Sequence, residues 1–200
     1  MSARDEVRQQ VVNACRYLSG RGFLAGTGGN VSMRLDPMRF AITPSGVDYQ
    51  SMTPGDLCVV NIETLALEEG TRKPSVEHGL HAAMLWGRPD AAAVVHTHQP
   101  LASAVALLSA ELTVLGQRVP AVAYAPSGTP LLVRALRKRL RPDSNAYLLR
   151  NHGLICCGST MAAAISVAEQ TEDVARRYLR AAIQRAGDGE LAREALEALQ

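Results

Sequence analysis

Two hundred residues, 47% of them hydrophobic, are enough for one α/β domain with a full core. A formal net charge of +2 with mixed signs and only 4% aromatic residues leaves no basic stripe and no stacking platform, which argues against nucleic acid as the main partner. The start, MSARDEVRQQ, has no apolar signal core, and there is no apolar run of about 18 residues, so no membrane contact is expected.

Cys15, Cys58 and the adjacent pair Cys156 and Cys157 form no C-x-x-C, which fits reduced thiols in a cytoplasmic protein. Val7, Val11, Cys15 and Leu18 recur at helical spacing and predict an amphipathic helix over residues 4–19, ended by Gly20 or Gly22. In the next stretch, GTGGNVSMRL, three glycines in four residues permit a tight turn that aims several N–H groups at an anion. Val31 occupies the third glycine position of a dinucleotide fingerprint, and no G-K-[ST] follows, so neither nucleotide motif is present. An ordinary glycine-rich turn into a strand explains the local sequence equally well.

Strands are predicted over residues 31–35 and 40–43, joined by a turn at Asp36–Arg39, and over 57–62. Thr43-Pro44-Ser45-Gly46 reads as a turn rich in hydroxyls and free amides, and Glu68-Glu69-Gly70 as another turn. Ser75 is placed to cap a helix from Val76 to about Trp86. Glu77 and His81 share a face of that helix, with Glu77 in the first turn, where a carboxylate also complements the helix dipole.

The segment from Lys73 to Pro100 holds four of the five histidines. Residues 92–98 read as a strand, so His96 and His98 project from one face while Thr97 points away. His152, beside Gly153 in a second apolar run, offers a third imidazole; three imidazoles and an open position suit a catalytic zinc ion. Ordinary hydrogen-bonded histidines are the alternative.

A helix over 101–108, a loop to Val119, a strand at 121–124 and a basic helix at 131–140 follow. The charges of Arg134, Arg137, Lys138, Arg139 and Arg141 read as a solvated face or an intersubunit contact. Strands at 146–150 and 154–157 flank Asn151-His152-Gly153. Ser159 is expected to cap a long helix to about Gln184, and a short tail helix to follow Gly189. Connections this short and uneven do not suit regular βαβ units. The expectation is a single domain, residues 1–200, with the tail 187–200 peripheral and a mostly antiparallel sheet covered by helices.

Four segments, GTGGNVSMR, TPSGVDY, KPSVEHGLH with VVHTH, and LLRNHGLICCG, in this order resemble the class II aldolase/adducin family from about Val7 to Ala182. The resemblance implies a three-layer α/β/α fold and a fourfold homotetramer with active sites between subunits. It implies Zn2+ held by His96, His98 and His152, although three imidazoles also suit cobalt, nickel or manganese. Glu77 would be both a metal ligand and the proton-transferring base. Gly29, Asn30, Ser45, Gly46 and Ser75 fall where the family binds a substrate phosphate. The implied reaction cleaves a ketose 1-phosphate, such as L-fuculose 1-phosphate, to dihydroxyacetone phosphate and an aldehyde through a metal-stabilised enediolate.

The chain departs from the aldolase pattern at several points. Val76 replaces a second serine, His78 stands at a tryptophan position, and the segment from Ser109 to Val119 has no tyrosine. No tyrosine follows Tyr178 either. Val76 removes a phosphate donor and the missing tyrosines touch the aldehyde half of the site, and the departures keep related family reactions open: phosphotetronate decarboxylation, ribulose-phosphate 4-epimerisation and methylthioribulose-phosphate dehydration. A non-catalytic adducin-like module is a further alternative, opposed by the presence of all three histidines and the glutamate.

Overall fold

The computed structural model describes residues 2–108, 110–187, 189 and 195–199. Helix α1 (Ala3–Gly20) opens with a capping box in which the Ser2 hydroxyl accepts from the Asp5 N–H and the Asp5 carboxylate accepts from the Ser2 N–H. Its Val11, Cys15 and Leu18 are fully buried, as the spacing predicts.

Strands β1 (Asn30–Asp36), β2 (Arg39–Ile42), β3 (Cys58–Asn61) and β4 (Leu67–Glu69) follow. Residues 67–69 are a strand rather than the start of a turn, because Leu67 and Glu69 pair with Val60 and Val59; the chain bends at residues 71–72, after Gly70 at φ 113°. Helix α2 (His78–Gly87) precedes β5 (Ala93–Thr97) and α3 (Pro100–Leu107). The expected loop before Val119 is instead a hairpin, β6 (Leu112–Val114) with β7 (Gln117–Val119). Both central residues, Leu115 and Gly116, have positive φ, so the two-residue turn matches the strand twist.

The remaining elements are β8 (Ala121–Val122), α4 (Pro130–Arg137), β9 (Ala146–Leu149), β10 (Gly153–Gly158) and α5 (Met161–Ala186). Thr160, not Ser159, caps α5: its hydroxyl accepts from the Ala163 N–H at 3.1 Å. Of the expected tail helix, residues 195–198 are helical; residues 190–194 and 200 lie outside the described residues.

Eight strands form one sheet in the order β4-β3-β2-β1-β5-β10-β9-β8. Every neighbouring pair is antiparallel except β8 with β9. The alternation of the pleat feeds two cores. Val31, Ala93, Val95 and Cys156 pack with α1, α3 and α5 on one face. Phe40, Val94, Ile155 and Cys157 pack with α2 and α4 on the other. Complete burial of side chains such as Phe40, Leu80 and Leu132 contributes about 1.5–3 kcal/mol each. The cationic side chains of α4 are exposed, while its Leu132 and Leu136 are buried. Among the described residues no helix is long and apolar enough to cross a membrane.

The corner between β5 and α3 is locked to α5 by buried polar groups. The Thr97 hydroxyl donates to Gln99 Oε1 at 2.7 Å, and Gln99 Nε2 donates to the Ala168 carbonyl at 2.9 Å. The Glu172 carboxylate accepts the free N–H groups of Leu101 and Ala102, both at 2.9 Å, and so caps α3 from a distance. These contacts fix the strand end that carries the histidines.

Candidate metal centre and active site

The centre of the sheet ends in three converging segments. β5 lies between β1 and β10, with His96 opposite Asn30 on one side and Ile155 on the other. Side chains alternate as expected: Thr97 faces α5, while His96 and His98 emerge on the other face and bring their Nε2 atoms to 3.0 Å. His152 comes from the tight turn between β9 and β10, where Asn151 takes φ 53°. Its Nε2 lies 3.2 Å from that of His96. A side chain at Gly153 would strike the Thr97 carbonyl, so only glycine lets this turn approach β5.

His96 Nδ1–H donates to the Leu154 carbonyl at 2.8 Å, which leaves the Nε2 lone pair facing the cluster. His152 Nδ1 has no protein partner among the described residues. Burial, with the neighbouring His96 and His152 rings adding to it, pushes His98 down to about 4. A neutral imidazole is the form that binds a metal.

Glu77 closes the cluster. Its Oε2 lies 3.1 Å from His96 Nε2, and its Oε1 lies 3.2 Å from His152 Nε2. Helix α2 starts two residues later than expected, because Ser75 N–H bonds to the Thr43 carbonyl and keeps residues up to 75 extended. Glu77 therefore sits at the residue before the helix, with no capping bond from its side chain, and is 5% exposed. Ser75 is not the cap; its hydroxyl accepts from the Glu77 N–H at 3.3 Å. Burial raises the Glu77 carboxyl, but the His96 and His152 rings and the Asn30 amide outweigh it and hold the group below the usual carboxylate range.

A directional chain supports the carboxylate from inside. Asn30 Nδ2 donates to Glu77 Oε2 at 2.9 Å, so Asn30 Oδ1 faces His81 Nε2–H at 2.6 Å. His81 Nδ1 then accepts from the Ser32 hydroxyl at 2.6 Å. His81 is fully buried, and burial, reinforced by the His96 ring, pushes it down to about 3. From the outside, the Ser127 hydroxyl donates to Glu77 Oε1 at 2.8 Å.

One carboxylate oxygen and three imidazole nitrogens thus lie within 4.8 Å of one another. Ligands of a tetrahedral zinc ion, at Zn–N distances of about 2.0–2.1 Å, stand about 3.3 Å apart. The nearest spacings here, 3.0–3.2 Å, match that, and no proton is needed between the nitrogens if an ion binds them. Glu77, His96, His98 and His152 therefore fit a divalent metal ion.

The residues expected at a phosphate gather beside this cluster. Ser45 N–H bonds to the Lys73 carbonyl, and an isolated bridge joins Pro44 to Pro74, so turn 43–46 lies against residues 73–75. Thr43 N–H donates to the Val31 carbonyl and Val31 N–H donates to the Thr43 hydroxyl, which brings the Gly29–Asn30 end of β1 to the same place. Ser45 and Gly46 are exposed, and Gly46 has φ 70°; Ser75 and Gly29 are buried. Asn30 is largely committed to Glu77 and His81, with one amide hydrogen left for a ligand. At Gly29, φ is 78°, and a Cβ would strike Leu24 and lie 2.7 Å from the His96 carbonyl.

Val76, at the position of the family's second serine, is 63% exposed. His78 turns back, with Nδ1–H donating to the Ser75 carbonyl at 2.8 Å. Sequence reasoning missed Tyr49, whose hydroxyl donates to the Gly29 carbonyl at 2.5 Å, as well as Ser32 and Ser127. The Glu77–His81 spacing was the one available hint of the inner chain; nothing in the sequence marked Ser127.

The family model for the class II aldolase and adducin N-terminal domain matches residues 9–179. A 5-methylthioribulose-1-phosphate/5-deoxyribulose-1-phosphate aldolase of Rhodospirillum rubrum is 34% identical over 186 residues, covering 89% of this chain and 82% of the relative. A 5-deoxy-D-ribulose 1-phosphate aldolase of Bacillus thuringiensis serovar kurstaki is 35% identical over 179 residues, covering 86% and 83%. A solved L-fuculose 1-phosphate aldolase superposes with a TM-score of 0.84 at 28% identity, covering 100% of this chain and 95% of its own. The three-layer fold matches that of this neighbour, with a mixed central sheet between helices. The chain belongs to the class II aldolase and adducin family, as an enzyme of the metal-dependent aldolase type.

Proposed function

We propose that this protein is a zinc-dependent aldolase that cleaves a ketose 1-phosphate to dihydroxyacetone phosphate and an aldehyde. The observation that carries the reading is the Glu77 carboxylate, 3.1 and 3.2 Å from two members of a three-imidazole cluster. The relatives' names give L-fuculose phosphate, 5-methylthioribulose 1-phosphate and 5-deoxyribulose 1-phosphate, which share the same first three carbons and differ only in the aldehyde half. Those shared carbons are the ones a metal and a base would act on.

His96, His98 and His152 would hold the ion, with Glu77 as a fourth ligand before substrate binds. When bound, the ion would supply Lewis acidity for an enediolate. Glu77 would take or return the proton on the carbon next to the carbonyl; a carboxylate already aimed at that point needs little reorganisation. Gly29, Asn30, Ser45, Gly46 and Ser75 would anchor the phosphate with uncharged donors, so that binding at the inert end orients the reacting carbon. We place the enzyme in a reducing cytoplasm, in keeping with four free, buried thiols. We also infer a homotetramer; exposed Val76, Trp86, Tyr124 and Leu131 supply apolar surface for contacts between copies.

A test is release of dihydroxyacetone phosphate from L-fuculose 1-phosphate and 5-deoxyribulose 1-phosphate by zinc-loaded protein, followed by coupled reduction. Turnover that is lost in Glu77→Gln supports the reading; no turnover of any ketose 1-phosphate contradicts it. Val76 and the tyrosine-free hairpin at 112–119 favour a second reading, a decarboxylase, epimerase or dehydratase working through the same enolate. Turnover of phosphorylated acids or pentulose phosphates without release of dihydroxyacetone phosphate would select it instead.

A further inference from the structure

Glu77 is gripped on both oxygens, and the two grips are built differently. Oε2 is held by Asn30, whose amide is fixed by fully buried His81 and Ser32 inside the protein. Oε1 is held by Ser127, which lies in an exposed turn just before α4. That turn has a shape of its own. Thr129 Oγ1 donates to the Pro126 carbonyl at 2.6 Å, Gly128 takes φ 70°, and Gly128 packs so closely on Val76 that an added Cβ would come within 3.3 Å.

A serine two residues before a helix cap is usually spent on turn or capping bonds. Here α4 has Thr129 at its N-cap with no side-chain capping bond, and the Ser127 hydroxyl goes to Glu77 across 50 residues of sequence. A hydrogen bond to one carboxylate oxygen leaves the group free to rotate; a donor on each oxygen fixes its plane.

We propose that Ser127 is a positioning residue for Glu77: its hydroxyl holds Oε1 against the imidazoles, so the turn at 126–129 sets how strongly the cluster takes a divalent ion and how well the base is aimed. This rests on the metal-site reading above. Because Ser127 comes from an exposed turn, this grip can be released while the Asn30 side stays fixed, as a carboxylate with two successive duties requires.

The test uses full-length protein stripped of metal and titrated with zinc against a chromogenic chelator, beside steady-state kinetics, for wild type, Ser127→Ala, Ser127→Thr and Glu77→Gln. Loss of a partner that orients a metal ligand typically costs about 10-fold or more in metal affinity. Ser127→Ala is expected to bind zinc about 10-fold more weakly and to lose kcat with KM little changed, since substrate contacts are untouched. Ser127→Thr, which keeps the hydroxyl, is expected to restore both, and the melting temperature is expected to be the same in all Ser127 variants. Wild-type zinc affinity and kcat in Ser127→Ala, with Glu77→Gln impaired, would overturn the assignment alone, as would a Ser127→Thr protein as impaired as the alanine variant. A wild-type protein that takes up no zinc would overturn the metal reading and this assignment with it.

Discussion

The two halves of the candidate site are made of different material. At the histidine end, four side chains converge from β5 and the residue just past it, the β9–β10 turn and the residue before α2, on a scaffold of paired strands and buried amides. At the proposed phosphate end, the chain offers backbone amides and short hydroxyls on turns, two of them, Ser45 and Gly46, exposed to solvent. The first half is anchored inside the protein, with His96 held by the Leu154 carbonyl and Glu77 Oε2 by the buried Asn30 amide. The second is assembled by a bridge between two turns and by one tyrosine, Tyr49, on the glycine loop. On the proposed reading, chemistry that needs a fixed charge sits at the end of the sheet, and recognition of the inert end sits on loops.

Substitutions separate the halves. The largest effect on activity is expected from Glu77→Gln, which keeps the shape but removes the proposed base; general-base catalysis is worth about 10²–10⁴-fold, and kcat should fall by that order with the fold intact by circular dichroism. Gly153→Ala is expected to act through stability, because its Cβ would collide with the Thr97 carbonyl at the histidine corner. Overpacking of that kind costs about 1–3 kcal/mol, read from denaturant midpoints, and zinc uptake should weaken with it.

His81→Ala comes next. It leaves Asn30 Oδ1 and the Ser32 hydroxyl unpaired in a fully buried place, at a cost of about 1–3 kcal/mol, and it should lower kcat by loosening the inner grip on Glu77. The smallest effect is expected from Ser45→Ala. Losing one exposed hydroxyl donor is worth about 0.5–1.5 kcal/mol, a rise of about 2- to 10-fold in KM with zinc affinity unchanged. If Ser45→Ala weakened zinc binding as much as Gly153→Ala, the division into two halves would be wrong.

What could be read from the sequence follows the same line. His-x-His at the end of an apolar run works because the pleat alone puts both rings on one face, and the turn that delivers His152 is flanked by Asn151, at φ 53°, and Gly153, which lies against the Thr97 carbonyl. The mostly antiparallel sheet followed from short connections. The misses occurred where a distant bond overrides a local preference. Ser75 looks like a cap, but its N–H is claimed by Thr43, and the helix waits until His78. Residues 112–119 looked like a loop because Leu115, an apolar residue, takes the positive φ that turn rules assign to Asn or Gly. Ser127 gives no local sign, since the partner that gives it meaning is 50 positions away.

The most direct test of the account is proton exchange on dihydroxyacetone phosphate in heavy water, followed by NMR, with zinc-loaded wild-type protein beside Glu77→Gln. It asks for the base and the ion alone, with no aldehyde to choose. The account predicts stereospecific exchange at one hydrogen of the hydroxymethyl carbon in the wild type and none in the mutant. Equal exchange in both proteins would remove Glu77 from the role of base, and no exchange by the zinc-replete wild type would contradict the aldolase reading itself.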